Sequence, residues 1–382
     1  MILLVKEDDT MLKEFNCRFF VSEKPCRYKL DCPVDDTCPK YQTMGKRILI
    51  IKLAAIGDVL RTTPILPALK EKYPQSHISW ITDQSSLSVL EENPYIDRLL
   101  TANYENALRL QVEKFDIVIC LDKDTVASSL ASLVKADQKL GFALSGNGLL
   151  YPLNKEADYL FRLGVSDELK FRQNQKTYQQ LIFDALGLDE KYGEYVIHLP
   201  QKYTTYGEQL MKQWGIHNGR LVIGLNTGAG KRFATKRWET GSFVELADRL
   251  SKDMKAHVML LGGPEEVERN KEIASRTKSK ITDSGCHHSL KEFMGLISQC
   301  HLIVTGDTLA LHLAIALKKL IVTFFGSTCH QEIDLYGRGK KLVAGVDCAP
   351  CYKGNCDTMI CMKSIHANDV FRACKEVLGE LL

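Results

Sequence analysis

The chain has 382 residues, of which 45% are hydrophobic and 25% are charged. This length and composition are enough for the cores of two ordinary domains. Lys and Arg total 50 against 47 Asp and Glu, so the net charge of +3 excludes a protein coated with basic charge for nucleic acid. No apolar run approaches the roughly 18–20 residues of a membrane-spanning helix, and no export signal is evident, so we expect a cytoplasmic protein.

The first predicted element is a cysteine-rich segment, residues 1–45. It contains Cys17, Cys26, Cys32 and Cys38 together with three prolines, and it has too few apolar residues for a core of its own. Small modules of this kind need a metal ion or disulfides to hold a shape. We predict that the four thiols bind zinc or iron, because grouped cysteines in a reducing compartment favour metal ligation; disulfides are the alternative.

From Arg47 onward, short apolar runs alternate with amphipathic helical stretches, which is typical of an α/β protein with a parallel sheet covered by helices. The first set predicts strands at 48–52, 77–82, 97–101 and 116–121, with helices beginning near Asp58, Gln84 and Thr125. A helix at 173–187 follows, and then a segment rich in glycine and proline at 189–219. We therefore predict one domain over residues 46–200 and a second over 201–346.

The second set predicts strands at 221–226, 257–261, 280–283, 301–305 and 320–325. Both sets open with a basic residue, an apolar strand, a glycine-containing loop and a helix. This similarity predicts two related α/β domains facing a cleft, where ligands prefer to bind. Residues 347–382 are predicted to be a second cysteine-rich segment followed by an amphipathic helix from Ala367.

Asp58 follows the first buried strand, in a loop of small residues at the start of a helix. Aspartate is a good helix N-cap, which is a sufficient structural explanation. The functional alternative is a carboxylate aimed into the cleft, where it takes a proton from an attacking hydroxyl.

Two loops of the second half have features of a nucleotide site. The glycine-rich loop after strand 221–226 contains Thr227, Gly228, Lys231 and Lys236, and its amides and cations suit a diphosphate; the alternative is a solvated basic loop. The turn after strand 257–261 contains Gly262, Gly263 and Glu265. A carboxylate at this place in a sheet accepts hydrogen bonds from ribose hydroxyls, although glycine and proline also make ordinary turns.

A third loop leads from strand 301–305 into an apolar helix. Its residues Asp307, Thr308, Leu309 and Ala310 present a hydroxyl and free backbone amides that suit phosphate oxygens. His312 lies one turn after Thr308 on the same helix face, where it is either a ligand or a packed core histidine.

Together these segments resemble glycosyltransferase family 9, the heptosyltransferase family of bacterial lipopolysaccharide assembly, whose two Rossmann-like domains form the GT-B fold. The matching features are the Ile-Leu-Ile-Ile-Lys-Leu-Ala-Ala-Ile-Gly-Asp run ending at Asp58, the Lys-x-Trp at Lys236, the Asp307-Thr308 helix start with His312, and Phe325-Gly326-Ser327-Thr328. The resemblance extends from about residue 47 to about residue 363.

The resemblance implies an inverting displacement without a required cofactor. Asp58 would be the general base, Lys236 and the helix start at Thr308 would stabilise the departing diphosphate, and Glu265 would face the ribose. The implied donor is ADP-heptose or a close relative. The implied acceptor is a lipid A-core or a protein, with peripheral contact at the inner membrane and no nucleic acid partner.

Two residues depart from the family pattern. Leu309 stands where members usually have glycine, and Arg61 stands where many have histidine. An arginine one turn from Asp58 lowers the pKa of that carboxyl, or else binds an anionic acceptor. Leu309 and the N-terminal segment also suggest an alternative of another class, a non-catalytic protein that binds nucleotide sugars.

The last predicted element is the second cysteine group, Cys348, Cys351, Cys356 and Cys361, which places four thiols within fourteen residues. Four thiolates suit zinc or iron in tetrahedral geometry, and reduced or redox-paired thiols are the alternative. Similar tails occur in relatives of the family, and some relatives modify exported proteins and depend on cysteine-bound iron. A protein O-heptosyltransferase is therefore a variant of the expected function.

Overall fold

The computed structural model describes residues 15–28, 31–188, 192–216, 219–230 and 233–379, which form two α/β halves, each built on a six-stranded sheet. Lys231 of the predicted phosphate loop lies outside these residues. The α/β class and the two sheets are confirmed. None of the helices in the described part of the chain is long and apolar enough to cross a membrane.

The first sheet has the strand order β3-β2-β1-β4-β5-β6, and its strands are parallel except for the antiparallel pair β5–β6. The strands are β1 (Arg47–Ile51), β2 (His77–Thr82), β3 (Arg98–Thr101), β4 (Lys114–Cys120), β5 (Lys135–Leu144) and β6 (Leu150–Pro152). The helices are α1 (Ile56–Thr62), α2 (Ile65–Lys72), α3 (Leu87–Leu90), α4 (Tyr104–Val112), α5 (Thr125–Leu133), α6 (Asp158–Arg162) and α7 (Tyr178–Leu186).

The second sheet has the order β12-β11-β10-β7-β8-β9 with all neighbours parallel, so both halves repeat the order 3-2-1-4-5-6 of a Rossmann-like sheet. The strands are β7 (Val222–Asn226), β8 (His257–Leu261), β9 (Thr282–Asp283), β10 (Leu302–Gly306), β11 (Leu320–Phe325) and β12 (Gly339–Val343). The helices are α8 (Gln201–Gln213), α9 (Thr240–Asp253), α10 (Val267–Arg276), α11 (Leu290–Gln299), α12 (Leu309–Ala316), α13 (Ile360–Lys363) and α14 (Ala367–Gly379).

The central strands are buried on both faces, which is why they read as continuous apolar runs in the sequence. Ile48 of β1, for example, is fully buried and pairs with Ile78 on one side and Ile117 on the other. Strands β2, β8 and β11 have the predicted bounds. The hairpin β5–β6 and strand β12 were not predicted, because these strands, at or next to the edges of their sheets, carry exposed residues among their apolar ones.

The helix predicted at 173–187 is divided in the structure. A π-helical turn covers Leu169–Gln173, and α7 begins after Thr177. The Thr177 hydroxyl accepts a hydrogen bond from the amide of Gln180, whose side chain accepts one from the Thr177 amide, and this capping box fixes the start. Gly187, at φ 56°, ends the helix in the left-handed conformation.

The two halves share one apolar core, since a single cluster of buried side chains includes β1 and α1 of the first half and β10 and α12 of the second. Helices α1 and α12 meet closely. A Cβ atom at Gly57 in α1 would lie 2.6 Å from Cδ2 of His312 in α12. An ion pair between Glu91 and Lys291 (2.5 Å) also joins the halves. The carboxyl end of β1 thus faces the start of α12.

Candidate functional site

A buried ion pair shapes the loop at the carboxyl end of β1. The Lys52 ammonium donates to Oδ1 of Asp122 (2.7 Å) and to the carbonyl of Ala54 (2.8 Å), and Oδ2 of Asp122 accepts from the amide of Leu53 (2.7 Å). Burial disfavours the charge, but attraction to neighbours that include Asp122 and Asp58 raises the pKa of Lys52 overall. Neither residue was predicted from the sequence to be part of the site, because a polar residue at the end of an apolar strand is an ordinary pattern.

Asp58 lies in the first turn of α1, and the N-cap of that helix is Ala55, which makes no side-chain capping bond. Asp58 is therefore not the N-cap itself; as the third residue of the helix, its carboxylate accepts a hydrogen bond from the Ala55 amide. Its side chain is 40% exposed, and Oδ1 is 3.0 Å from Nε of Arg61. Partial burial raises the pKa of Asp58, but the positive charges of Arg61 and Lys52 outweigh it, so the pKa is lowered and the carboxylate is ionised at neutral pH.

Arg61 is held by three neighbours. Besides Asp58, its guanidinium lies 3.7 Å from Oε2 of Glu332 and 3.9 Å above the ring of Tyr178. Burial opposes its charge, yet the two carboxylates raise the pKa of Arg61. Arg61 is therefore a fixed cation beside Asp58.

Asn226, at the end of β7, links the glycine-rich loop to the start of α12. Its Nδ2 donates to Oγ1 of Thr308 (3.2 Å), to Oγ1 of Thr305 (3.1 Å) and to the carbonyl of Gly228 (3.3 Å). Thr308 is the N-cap of α12 but does not cap it with its side chain, so the first amides of the helix keep their anion-binding capacity. Ala310, in this first turn, is 3% exposed.

Lys236 reaches the same helix start from the short 3-10 helix Ala234–Lys236. Its ammonium is 2.8 Å from Oδ2 of Asp307 and 3.1 Å from the carbonyl of the same residue. Burial raises the pKa of Asp307, but the positive charge of Lys236 outweighs burial and lowers the pKa, so the carboxylate is ionised. The structure thus brings Lys236, Asp307 and Thr308 together.

His312 lies where the two halves of the site meet. Its side chain is 7% exposed, and burial followed by the charge of Arg61 lowers its pKa to about 4. Asp58 and Lys236, from opposite halves, both act on the pKa of this ring. The ring lies parallel to that of Tyr195, whose hydroxyl is 3.4 Å from Nδ1. His312 is therefore neutral and packed between the two halves.

The loops predicted to bind the diphosphate and the ribose surround a buried carboxylate that the sequence did not single out. Glu266 is 6% exposed and accepts a hydrogen bond from the amide of Gly263 (2.9 Å). A Cβ atom at Gly228 would lie 2.5 Å from Cδ of Glu266, and a Cβ atom at Gly262 would lie 2.7 Å from Cβ of Glu266. Glu265, the predicted residue, is exposed. In a Pro-Glu-Glu run, sequence alone does not tell which carboxylate turns inward.

Thr227 serves the fold in this loop. The residue is 1% exposed, and its hydroxyl donates to Oδ1 of Asn270 (2.5 Å) and faces the carbonyl of Leu261 (3.4 Å). The hydroxyl is therefore turned toward the interior and away from solvent.

The C-terminal cysteine segment crosses between the two halves beside this site. The carbonyl of Lys353 accepts from the hydroxyl of Thr235, next to Lys236 (2.6 Å). The ring of Tyr352 stacks on Phe171 of the first half, with centroids 5.4 Å apart, and the ammonium of Lys170 lies 3.9 Å over the Tyr352 ring. This segment therefore joins the Lys236 loop to the π-helical turn at Leu169–Gln173.

In the described conformation, the thiols of neither cysteine group are arranged as a metal site. Among the described residues, no three histidine, cysteine or carboxylate side chains are arranged to hold a metal ion. In the second group, Cys348 and Cys356 are exposed and Cys361 is buried against Gly326. All of the described cysteines are free thiols.

The comparisons with known proteins agree with this architecture. Residues 105–360 match glycosyltransferase family 9 (heptosyltransferase). Lipooligosaccharide heptosyltransferase 2 of Campylobacter jejuni is 22% identical over 334 residues, which are 85% of this chain and 95% of that protein.

Two solved structures show the same fold. A family 9 glycosyl transferase from Veillonella parvula has a TM-score of 0.71 at 23% identity, covering 88% of this chain and 98% of its own. The E. coli ADP-heptose lps heptosyltransferase II has a TM-score of 0.65 at 17% identity, covering 88% and 99%.

Proposed function

The chain belongs to glycosyltransferase family 9, the heptosyltransferase family, and we propose that it transfers a heptose from ADP-heptose to a hydroxyl of a lipopolysaccharide core acceptor with inversion at the anomeric carbon. The observation that carries this proposal is the pairing of α1 with α12. Asp58, an ionised and partly exposed carboxylate, lies on a helix packed against α12, and the first turn of α12 with Lys236 is the anion site of this proposal.

In the proposed reaction Asp58 accepts the proton of the acceptor hydroxyl. The hydroxyl oxygen bonds to the anomeric carbon as the bond from that carbon to the diphosphate breaks. Because Arg61 and Lys52 lower the pKa of Asp58, the carboxylate is ionised but weakly basic. Proton transfer is then expected to accompany departure of the leaving group.

The departing ADP carries additional negative charge, and two features are placed to stabilise it. The first amides of α12, at Leu309 and Ala310, present a helix N-terminus, and Lys236 adds a cation with three hydrogen-bond donors. The Leu309 side chain packs against the shared core, so it leaves the first amides of α12 open although family members usually have glycine at this position. These groups supply the charge stabilisation that a divalent cation provides in other transferases.

We place the nucleoside against the loops that follow β7 and β8. Glu265 is exposed and Glu266 is buried beside Gly228 and Gly263, so the ribose hydroxyls have two neighbouring carboxylates as acceptors. The structural relative from E. coli is an ADP-heptose lps heptosyltransferase, and this likeness supports the choice of ADP-heptose as the donor.

The test is a transfer assay on the full chain with a panel of ADP-, GDP- and UDP-sugars and a lipopolysaccharide core acceptor that lacks heptose. We expect ADP-heptose to add one heptose to the acceptor, measured as the product mass, with inverted anomeric configuration by NMR. Transfer of heptose to a protein and not to the lipopolysaccharide core would show that the proposed acceptor class is wrong. Tight binding of ADP-heptose without transfer to either acceptor would favour a non-catalytic binding protein and overturn the proposal.

A further inference from the structure

The N-terminal segment, defined here as residues 15–28 and 31–46, has almost no core of its own. Among these residues Cys17 alone is buried, at 7% exposure. The segment is made of turns and bends, with a single isolated β-bridge between Cys17 and Thr43. Apolar burial therefore cannot account for a defined shape here, and a segment of this size needs another source of stabilisation.

Four thiols converge in this segment. A single small cavity of about 10 Å³ is lined by all four cysteines together with four aromatic rings and one lysine: Phe15, Cys17, Phe19, Phe20, Cys26, Tyr28, Cys32, Cys38 and Lys40. This volume is roughly that of one water-sized body. Cysteines that are up to 21 positions apart in the chain thus face one space of the size of a single ion.

We propose that Cys17, Cys26, Cys32 and Cys38 bind one thiophilic metal ion of the zinc class in a tetrahedral four-thiolate site. No three of these thiols are at ligand distance in their present conformations, so binding requires side-chain rotation toward the cavity. Each thiol loses its proton on binding, so a divalent ion gains four thiolates and four protons are released. The resulting site has a net charge of −2, and Lys40, which lines the cavity, offsets part of that charge.

The position of the segment indicates a structural role for the ion. Nε of Arg18 donates to Oδ1 of Asp97 (3.0 Å), and Asp97 also accepts from Lys70 (2.7 Å) just before β3. A Cβ at Gly45 would lie 2.8 Å from the carbonyl carbon of Gln75, so the backbone packs tightly there as well. These contacts fasten the segment to the amino ends of the strands of the first sheet.

Asp58 and the rest of the candidate site follow the carboxyl ends of the strands. The five residues of β1 separate the two edges by about 16 Å, from a rise of about 3.3 Å per residue. The proposed ion is therefore too distant to take part in the transfer. Its loss should weaken the fold at this edge and leave the chemistry of the remaining folded protein unchanged.

The test measures metal content and thiol state of the full chain, purified without chelators. Zinc and iron are determined by elemental analysis for the wild type, for Cys26→Ser/Cys38→Ser and for Lys24→Ala, a control at an exposed residue of the same segment that does not line the cavity. We expect the double variant to lose about one metal ion per chain and the control to retain it. Cobalt substituted into the wild type should show thiolate charge-transfer absorption that the double variant lacks.

Thermal unfolding of the wild type, with and without a chelator, tests the proposal even if the double variant folds poorly. Chelation should lower the unfolding midpoint of the wild type, and restoring zinc should recover it. Equal metal content in wild type and double variant, or disulfides linking these four cysteines in the native protein, would overturn the proposal. None of these measurements requires donor or acceptor, so the result is independent of the proposed transfer activity.

Discussion

Gly57→Ala should reduce transfer activity while leaving the protein folded, because Gly57 is where α1 lies directly against α12. A Cβ there would be 2.6 Å from Cδ2 of His312, and ordinary contact begins at about 3.4 Å, so the two groups must separate by about 0.8 Å (3.4 − 2.6). The His312 ring is buried and lies parallel to Tyr195, which limits its movement. The substitution therefore displaces Asp58 relative to the start of α12.

The size of the effect follows from two opposing contributions. Alanine in a helix is favoured over glycine by roughly 0.5–1 kcal/mol, whereas overpacking costs about 1–3 kcal/mol, so we expect a net loss of stability of at most about 2.5 kcal/mol. A misplacement of about 1 Å at an active site costs up to about a hundredfold in rate. We therefore expect kcat/KM to fall about ten- to a hundredfold with only a small change in Tm.

The assay is the initial rate of ADP-heptose-dependent transfer, with thermal unfolding measured in parallel. Gly146→Ala is the matched control, because a Cβ at Gly146 has no neighbour within 4 Å. In a His312→Ala background the effect of Gly57→Ala should shrink, since the obstructing ring is gone. Wild-type activity for Gly57→Ala, or an equal loss in both backgrounds, would refute the reasoning.

Three further outcomes are expected. Lys236→Ala should weaken ADP binding about ten- to a hundredfold by calorimetry, since a charge-assisted contact is lost and Asp307 is left unpaired. Tyr352→Ala should lower kcat/KM, whereas Tyr352→Phe, which retains the stacking on Phe171, should not. His312→Asn should reduce the pH dependence of the free energy of unfolding between pH 4 and 6.5. Because the pKa of native His312 is lowered to about 4, the folded protein binds fewer protons in this range than the unfolded chain, so the stability of the wild type rises with pH by up to about 3 kcal/mol. If urea unfolding shows the same pH dependence of the free energy of unfolding for His312→Asn and wild type, this expectation is contradicted.

The sequence predicted the parts of the fold that repeat a local pattern. Buried parallel strands such as β8 and β11 are continuous apolar runs, so both their existence and their bounds were predictable. The hairpin β5–β6 was missed because its exposed polar residues obscure the pattern. The π-helical turn at Leu169–Gln173 was also missed, because its place depends on Phe171 stacking on Tyr352, far along the chain.

The candidate site was predictable to a similar extent. Asp58, Lys236 and Thr308 could be named as candidates because each follows a strand in a family motif. Lys52 and Asp122 were not found, because their roles come from a pairing across 70 positions of chain. Such long-range pairs, and the inward turn of one of two adjacent glutamates, depend on tertiary packing that no local pattern records.

Asp58→Asn tests the central proposal most directly, because it removes the base and keeps the size of the side chain. We expect kcat for heptose transfer to fall about a hundredfold to ten-thousandfold. The affinity for ADP should be unchanged, since the ADP contacts that we propose lie in the other half, and the Tm should stay within a few degrees of the wild type. Equal transfer rates for Asp58→Asn and wild type, measured as heptose added to the core acceptor, would contradict the assignment of Asp58 as the base.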